Sequence, residues 1–259
     1  MLLVAERSNG EVVAYGDVAD QAEHERFPLD LRVPPAVEQA REIAAALLDA
    51  LEEQAAELAA PGATTRLFVP EAYELLRRLG EARGYQPFRH SFQMRIEFDG
   101  DVTAPSLPEG ISIRAFVPGQ DDRVVYDTHQ SAFGDHFEHA YWPYESWRQW
   151  AFTELFDPGL WWVAEEGTEM VGVCLGRSDG YAGPEFGWIN ALGVRPPWRR
   201  RGLARALLLA AFAEFKARGR RGAALGVDGL NPTGAVRLYE QAGMHVARRF
   251  DQYEKPLAP

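Results

Sequence analysis

Residues 194–204, VRPPWRRRGLA, decide how this chain is read. They join an apolar run, WINALGV (Trp188–Val194), which reads as a strand, to a helical pattern that opens near Gly202. In that helix Leu203, Leu207, Ala210, Ala211 and Phe215 share one apolar face. Arginines crowd the turn. A glycine stands at the helix start, where the first backbone N–H groups have no partner inside the helix and the macrodipole favours negative charge. Gly202 removes a side chain where backbone must come close to a ligand. The arrangement suits an anion, with a pyrophosphate as its natural guest, and so predicts a nucleotide-bearing cofactor.

The chain of 259 residues is 46% hydrophobic and carries a formal net charge of -11. Its length accommodates one large domain or two small ones, and its acidic balance argues against a nucleic-acid partner. Residues 1–105 hold 10 Arg against 19 Asp and Glu, whereas the remainder holds 17 Lys and Arg against 19. Basic side chains therefore concentrate in the second half, with Arg195, Arg199, Arg200, Arg201 and Arg205 at the turn. Cys174 is the single cysteine, so no intramolecular disulfide forms, as in a reducing cytoplasm. The start, MLLVAERSNG, is too short an apolar stretch for a signal peptide, and no run of about 18 apolar residues is present to span a membrane. A cytoplasmic protein without membrane partners is expected.

The two halves echo each other. Leu3-Val4-Ala5-Glu6 resembles Trp162-Val163-Ala164-Glu165, and each is followed by a polar turn and a short β-like run. Leu31-Arg32-Val33-Pro34-Pro35 echoes Leu192-Gly193-Val194-Arg195-Pro196-Pro197, and a long helical pattern follows both. Leu79 to Gly84 (LGEARG) matches Leu238 to Gly243 (LYEQAG). The first copy lacks the glycine and the arginine cluster, carries glutamates near its helix start, and has Gly80 where the second has Tyr239. It is expected to have lost an anion site. Asp99 to Gly110, DGDVTAPSLPEG, reads as a linker. That places a degenerate domain at 1–105 and a functional one at 106–259.

In the second half, Ile111–Phe116 alternates as a half-buried strand does. Asp121-Asp122 is predicted to cap a helix running to Phe133, and Tyr141–Phe156 reads as another helix. Trp161–Glu165 and Met170–Leu175 read as strands, with Trp188–Val194 central. Ala223–Val227 is a short strand, Thr233–Gln241 a helix closed by Gly243, and His245–Arg249 with Gln252–Lys255 a terminal hairpin. This order implies an α/β (α+β) fold, a mixed and mostly antiparallel sheet with helices on both faces.

Arg199-Arg200-Arg201-Gly202-Leu203-Ala204, placed between strand and helix, together with Asn231, Leu238-Tyr239 and Gly243, resembles the GNAT superfamily of acyl-CoA N-acyltransferases. The doubled layout is similar to tandem-GNAT proteins of the mycothiol synthase kind. The likeness is good over about 107–259 and weak over the first hundred residues. Asn231 to Tyr239 is one residue longer than the commonest family spacing. By the same likeness, the first copy would need a leading strand and two helices before Met1.

The resemblance implies an N-acetyltransferase that moves an acetyl group from acetyl-CoA directly to a primary amine of a small molecule, releasing coenzyme A. It implies that backbone around Ala191, Leu192, Gly193 and Val194 serves the pantetheine arm and the oxyanion, where the strand splays from its neighbour. The pyrophosphate would rest on Arg199, Arg200, Arg201, Gly202, Leu203 and Ala204, with Asn231 nearby. Tyr239 would be the general acid, since a tyrosine of ordinary pKa, about 10, is protonated at neutral pH. Glu185, just before the central strand, is the candidate base; where mycothiol synthase-like sequences carry a glutamate, this chain has Trp188. Asp135 and His136 lie between the helices that bound the family's acceptor site, and Trp142 is a candidate acceptor contact. Trp150 and Cys174 read as core. His136-x-x-His139 has a metal-like spacing without a third ligand, and no metal is expected. Two other readings are a non-catalytic acyl-CoA-binding regulator and a protein or peptide N-acetyltransferase.

Overall fold

The computed structural model describes residues 2–138, 141–178 and 180–257. The chain forms two compact units. One runs to Ser91 and takes up the chain again from Arg248; the other is Phe92–Ala247.

In the first unit, β1 (Leu2–Glu6), β2 (Val12–Val18) and β3 (Arg26–Arg32) form an antiparallel meander. Helix α1 (Ala40–Leu58) then crosses to β4 (Thr64–Pro70), which is parallel to β3, and α2 (Glu74–Ala82) follows. Leu48 and Leu51 of α1 pack on Leu29, Leu31 and Leu67 of the sheet. The strand β5 (Gln86–Glu97) leads into the second unit.

The second unit continues with β6 (Ile111–Ala115), α3 (Asp122–Phe133), α4 (Tyr144–Ala151), β7 (Trp161–Glu166), β8 (Glu169–Arg177) and β9 (Phe186–Val194). It closes with α5 (Leu203–Ala217), β10 (Gly222–Asp228), α6 (Ala235–Gln241) and the start of β11 (His245–Pro256). Its strands lie in the order β5-β10-β9-β8-β7-β6. Pairing is antiparallel from β6 to β9 and parallel between β9 and β10. Strand β8 is buried on both faces: Val173 and Leu175 enter a core with Val125 of α3 and Trp147 of α4, while Cys174 enters one with Leu207 and Phe212 of α5. Side chains alternate across a pleated strand, so an unbroken apolar sequence marks a strand covered on both sides.

The repeat read from the sequence is a repeat of topology. The series β1-β2-β3-α1-β4-α2 recurs as β7-β8-β9-α5-β10-α6 with the same pairing senses. Among the described residues the first series has no counterpart of β6, α3 and α4.

Three local expectations are corrected. The predicted terminal hairpin is one continuous strand, β11, because Phe250–Pro256 pairs residue by residue with Pro70–Thr64 of β4 and no turn residue interrupts it. Helix α4 is confined to Tyr144–Ala151: Pro143 disfavours helical backbone at the residue before it, and Phe152 leaves the helix at ψ 65°. Asp121 stands at the start of α3 but caps nothing with its side chain. Its carboxylate accepts instead from Arg114, at 2.6 and 3.0 Å, and from the Val117 N–H. Arg114 also reaches Glu165 at 2.5 Å, tying the start of α3 to β6 and β7.

Candidate active site

The site grows from the place where two parallel strands part. Pairing of β9 with β10 ends at Ile189↔Leu225, although both strands continue. On its other side β9 stays with β8, but the register jumps from Leu175↔Ala191 to Gly176↔Ile189, leaving Asn190 as a bulge. The backbone from Asn190 to Val194 therefore has no strand partner on the β10 side. Unpaired backbone groups away from water demand a partner, and a ligand laid into the V supplies one. Gly193 has a further reason to be glycine: a Cβ there would meet Ala132 Cβ and Phe133 Cε2 at 2.8 Å, so its bareness lets α3 close over the strand.

Beyond Val194 the chain turns through Pro196–Trp198 and reaches α5 through Arg200 at φ 62° and Gly202 at φ 85°. A Cβ on Gly202 would meet nothing within 4 Å. The left-handed backbone, not crowding, is what selects glycine there, and open space is left before the first amides of α5.

A cavity of about 420 Å³ lies over this turn, lined by Leu192, Gly193 and Val194 of β9 and by Gly202, Leu203 and Ala204 at the start of α5. The five arginines divide. Arg195 pairs with Glu169 at 2.5 Å and lies over the Trp198 ring. Arg201 pairs with Glu166 at 2.7 Å and is absent from the lining; that guanidinium, with the Trp198 indole N–H, holds the Glu166 carboxyl below its usual range. Arg199 lines the cavity but is committed to Asp135 and to the carbonyl oxygens of Val194 and Ala132. Arg200 and Arg205 line it too, and their guanidinium groups have no partner among the described residues.

A second cavity, about 190 Å³, opens in the V itself, lined by Asn190, Leu225, Asp228, Asn231 and Phe133. His136, Leu192, Thr233, Ala235 and Tyr239 line both. Tyr239 is 7% exposed, and burial raises the pKa of its phenol, with Cys174 adding to the effect. Its hydroxyl has no hydrogen-bond partner among the described residues. The Asn231 side-chain amide oxygen, Oδ1, accepts from the backbone N–H and hydroxyl of Thr233, at 2.8 and 2.5 Å, shaping the turn into α6.

Other sequence candidates fall elsewhere. Glu185 precedes the far end of β9, outside both linings, with Arg221 4.0 Å from its carboxylate. Trp142 also lies outside them, edge-on to Trp150 at 5.6 Å. Asp135 lines the larger cavity, but Arg199 holds its carboxyl below the usual range. His139 lies outside the described residues, and no group of three potential metal ligands occurs among them. Asp228 and Thr233 are not among the sequence candidates, and Arg205 is read from the sequence only as one of the arginines at the turn. Arg205 sits in the first turn of an otherwise apolar helix and Asp228 ends a strand beside a turn; neither pattern is distinctive without the fold.

The first unit repeats the strand geometry. The β3–β4 pairing ends at Leu29↔Leu67, as Ile189↔Leu225 does. Val33, Val69 and Leu76 belong to the buried core of this unit, and the Tyr73 hydroxyl donates to the Val33 carbonyl. Gly80, in the place of Tyr239, lies where a Cβ would meet Leu67 Cδ1 at 3.1 Å.

Comparison with known proteins agrees with this geometry. Residues 123–244 match the model of the Acetyltransferase (GNAT) family. A mycothiol acetyltransferase from Thermobispora bispora is 35% identical over 193 residues, 73% of this chain and 65% of that protein, so the chain spans under two thirds of that relative. The crystal structure of a GCN5-related N-acetyltransferase from Sphaerobacter thermophilus is 35% identical, covering 100% of this chain and 81% of that one, with a TM-score of 0.85. A tandem GNAT protein from the clavulanic acid biosynthesis pathway shares the fold at 17% identity, covering 98% of this chain and 82% of that one, with a TM-score of 0.75.

Proposed function

The chain belongs to the GCN5-related N-acetyltransferase (GNAT) family, and from that premise we propose that it transfers an acetyl group from acetyl-CoA to the primary amine of a small molecule. The observation that carries the reading is Tyr239, which borders both the cavity over the α5 start and the cavity in the strand V. A donor thioester and an acceptor amine entering from the two sides would meet beside its phenol.

The residues present fit acetyl-CoA. The first amides of α5, from Leu203 and Ala204, and the uncommitted Arg200 and Arg205 suit a pyrophosphate. The unpaired backbone of Asn190–Val194 suits an amide-bearing pantetheine arm. In the reaction the amine nitrogen attacks the thioester carbon and the carbon–sulfur bond breaks. Backbone N–H groups of β9 stabilise the developing oxyanion. Tyr239 gives its proton to the departing thiolate, and the proton lost by the attacking nitrogen restores the phenol, so the cycle leaves the enzyme unchanged. Arg199 acts by position, holding α3 to the turn through Asp135. We assign transfer to residues 106–259 and read 1–105 as a degenerate copy.

A calorimetric titration with coenzyme A, followed by thiol release with a panel of amines, tests the reading. Coenzyme A binding with amine-dependent thiol release supports it. Binding without release by any amine overturns it in favour of a regulator.

A further inference from the structure

We propose that Arg199, although it belongs to the donor turn, is a positioning residue for the acceptor: through Asp135 it sets the end of α3 as one wall of the strand V, and so links the acceptor's cavity to the turn that carries the donor's phosphates. This inference rests on the acetyl-transfer reading above.

The wall is the last turn of α3 and the residues just after it. Phe133 lines the cavity in the V, and Ala132 and Asp135 line the larger cavity. The last carbonyl groups of a helix have no partner inside it, and a cation placed there satisfies them and complements the negative end of the macrodipole. Arg199 fills that place. Its Nη2 donates to the Ala132 carbonyl at 2.9 Å and to Asp135 at 3.0 Å, and its Nη1 donates to Asp135 at 2.5 Å. Its Nε donates to the carbonyl of Val194, the last residue of β9, at 3.0 Å. Four of the five N–H groups of a planar, rigid fork thereby bridge β9 and α3. The same guanidinium holds the Asp135 carboxyl below its usual range, so the bridge stays ionic at neutral pH.

The bridge controls the Phe133 ring. A Cβ on Gly193 would meet Ala132 Cβ and Phe133 Cε2 at 2.8 Å, so α3 rests directly on the bare backbone of β9 beside the V. The start of α3 is fixed independently, by Arg114 through Asp121. Releasing Arg199 therefore frees the end that carries Phe133 and leaves the other end in place. The remaining ion pairs of the turn run elsewhere: Arg195 pairs with Glu169 of β8 and Arg201 with Glu166 of β7.

The test uses the full chain with acetyl-CoA and a panel of putrescine, tyramine, glucosamine and ethanolamine, and follows the best acceptor. Arg199→Met should raise the amine KM about tenfold, since a displaced wall misplaces its ligand, with kcat within about threefold and coenzyme A affinity within about twofold by calorimetry. Asp135→Asn keeps the shape, removes the charge and should act in the same direction. The double variant should be no worse than the worse single, because both break one link. Phe133→Leu combined with Arg199→Met should be non-additive for the same reason. Arg199→Lys retains a cation for Asp135 and should recover part of the amine affinity. Arg195→Met removes an ion pair of the same turn and should leave the amine KM within about twofold, which a general loosening of the turn would not. Should Arg199→Met fail to fold, Asp135→Asn and Arg199→Lys decide. An unaltered amine KM, additive effects in the double variants, a KM rise in Arg195→Met equal to that in Arg199→Met, or a loss of coenzyme A affinity as large as the rise in amine KM would overturn the inference. The transfer reading survives those outcomes because the wild type still turns over. If the wild type binds coenzyme A and acetylates no amine of the panel, both readings fall.

Discussion

The Arg199 guanidinium grips the Asp135 carboxylate at 2.5 and 3.0 Å while donating to the carbonyl oxygens of Ala132 and Val194. An arginine at the head of a phosphate-loop pattern is thereby a clamp between α3 and the turn after β9. Arg199→Met should cost about 2 kcal/mol of stability, the order expected for lost hydrogen bonds to a charged group. Urea unfolding measures it. The double variant Arg200→Ala/Arg205→Ala should leave stability within about 0.5 kcal/mol and weaken coenzyme A binding about tenfold. Equal effects of the two sets on binding would contradict this division.

Gly202→Glu tests the loop from the backbone outward. An L-residue at φ 85° is strained by about 1–2 kcal/mol, and a carboxylate at the α5 start repels a phosphate. The variant should fold, with a slightly lower Tm, and lose coenzyme A binding in calorimetry. Unchanged affinity in a folded variant would remove the pyrophosphate assignment.

Tyr239→Phe should slow the chemical step about 100-fold, the lower end of the range for losing a general acid, with coenzyme A affinity kept. Burial raises this phenol's pKa above its ordinary 10.0, so the phenol stays protonated at least up to that value. No alkaline loss of rate from Tyr239 is therefore expected below about pH 10. A wild-type rate in single-turnover measurements on Tyr239→Phe would refute its role.

Asp121 gives a stability test away from the cavities. The Arg114 guanidinium, with the Val117 N–H, holds its carboxyl below the usual 3.8. A carboxyl with a depressed pKa in the folded state stabilises the fold above its unfolded value, and that contribution fades as pH falls below 3.8 through the folded value. Asp121→Asn should cost about 3 kcal/mol at neutral pH and flatten the acid limb of the unfolding midpoint. An unaltered acid limb would mean that other carboxylates govern it.

Tyr73 sets the expected stoichiometry. Because the first copy lacks the glycine and arginine cluster and its Tyr73 hydroxyl donates to the Val33 carbonyl, calorimetry should find one coenzyme A per chain. A second equivalent lost in Tyr73→Trp would show that the first copy still binds.

Strand and helix positions in the second half were legible because their periods were undisturbed. Leu203, Leu207 and Phe215 repeat at helical spacing, and β8 reads as a buried run. The misreadings arose where distant pairing overrides local pattern: β11 stays extended because β4 runs beside it, and Asp121 turns from its helix because Arg114 reaches it. The glycine at 202 was recognisable, but its reason was not. A positive φ cannot be read from the residue alone, and Gln39, at the same point before α1, adopts φ 61° without being glycine.

The sequence by itself determined the doubled strand–Pro-Pro–helix unit, the family likeness, and which copy kept glycine and arginines, because composition and local periodicity carry those. The tertiary structure alone decided which arginines are committed, that Glu185 and Trp142 stand apart from the cavities, and that Asp228 and His136 line the same opening. Those facts depend on where β9 parts from β10 and on which partners reach each side chain, and residues that meet there come from segments nearly a hundred positions apart in the chain.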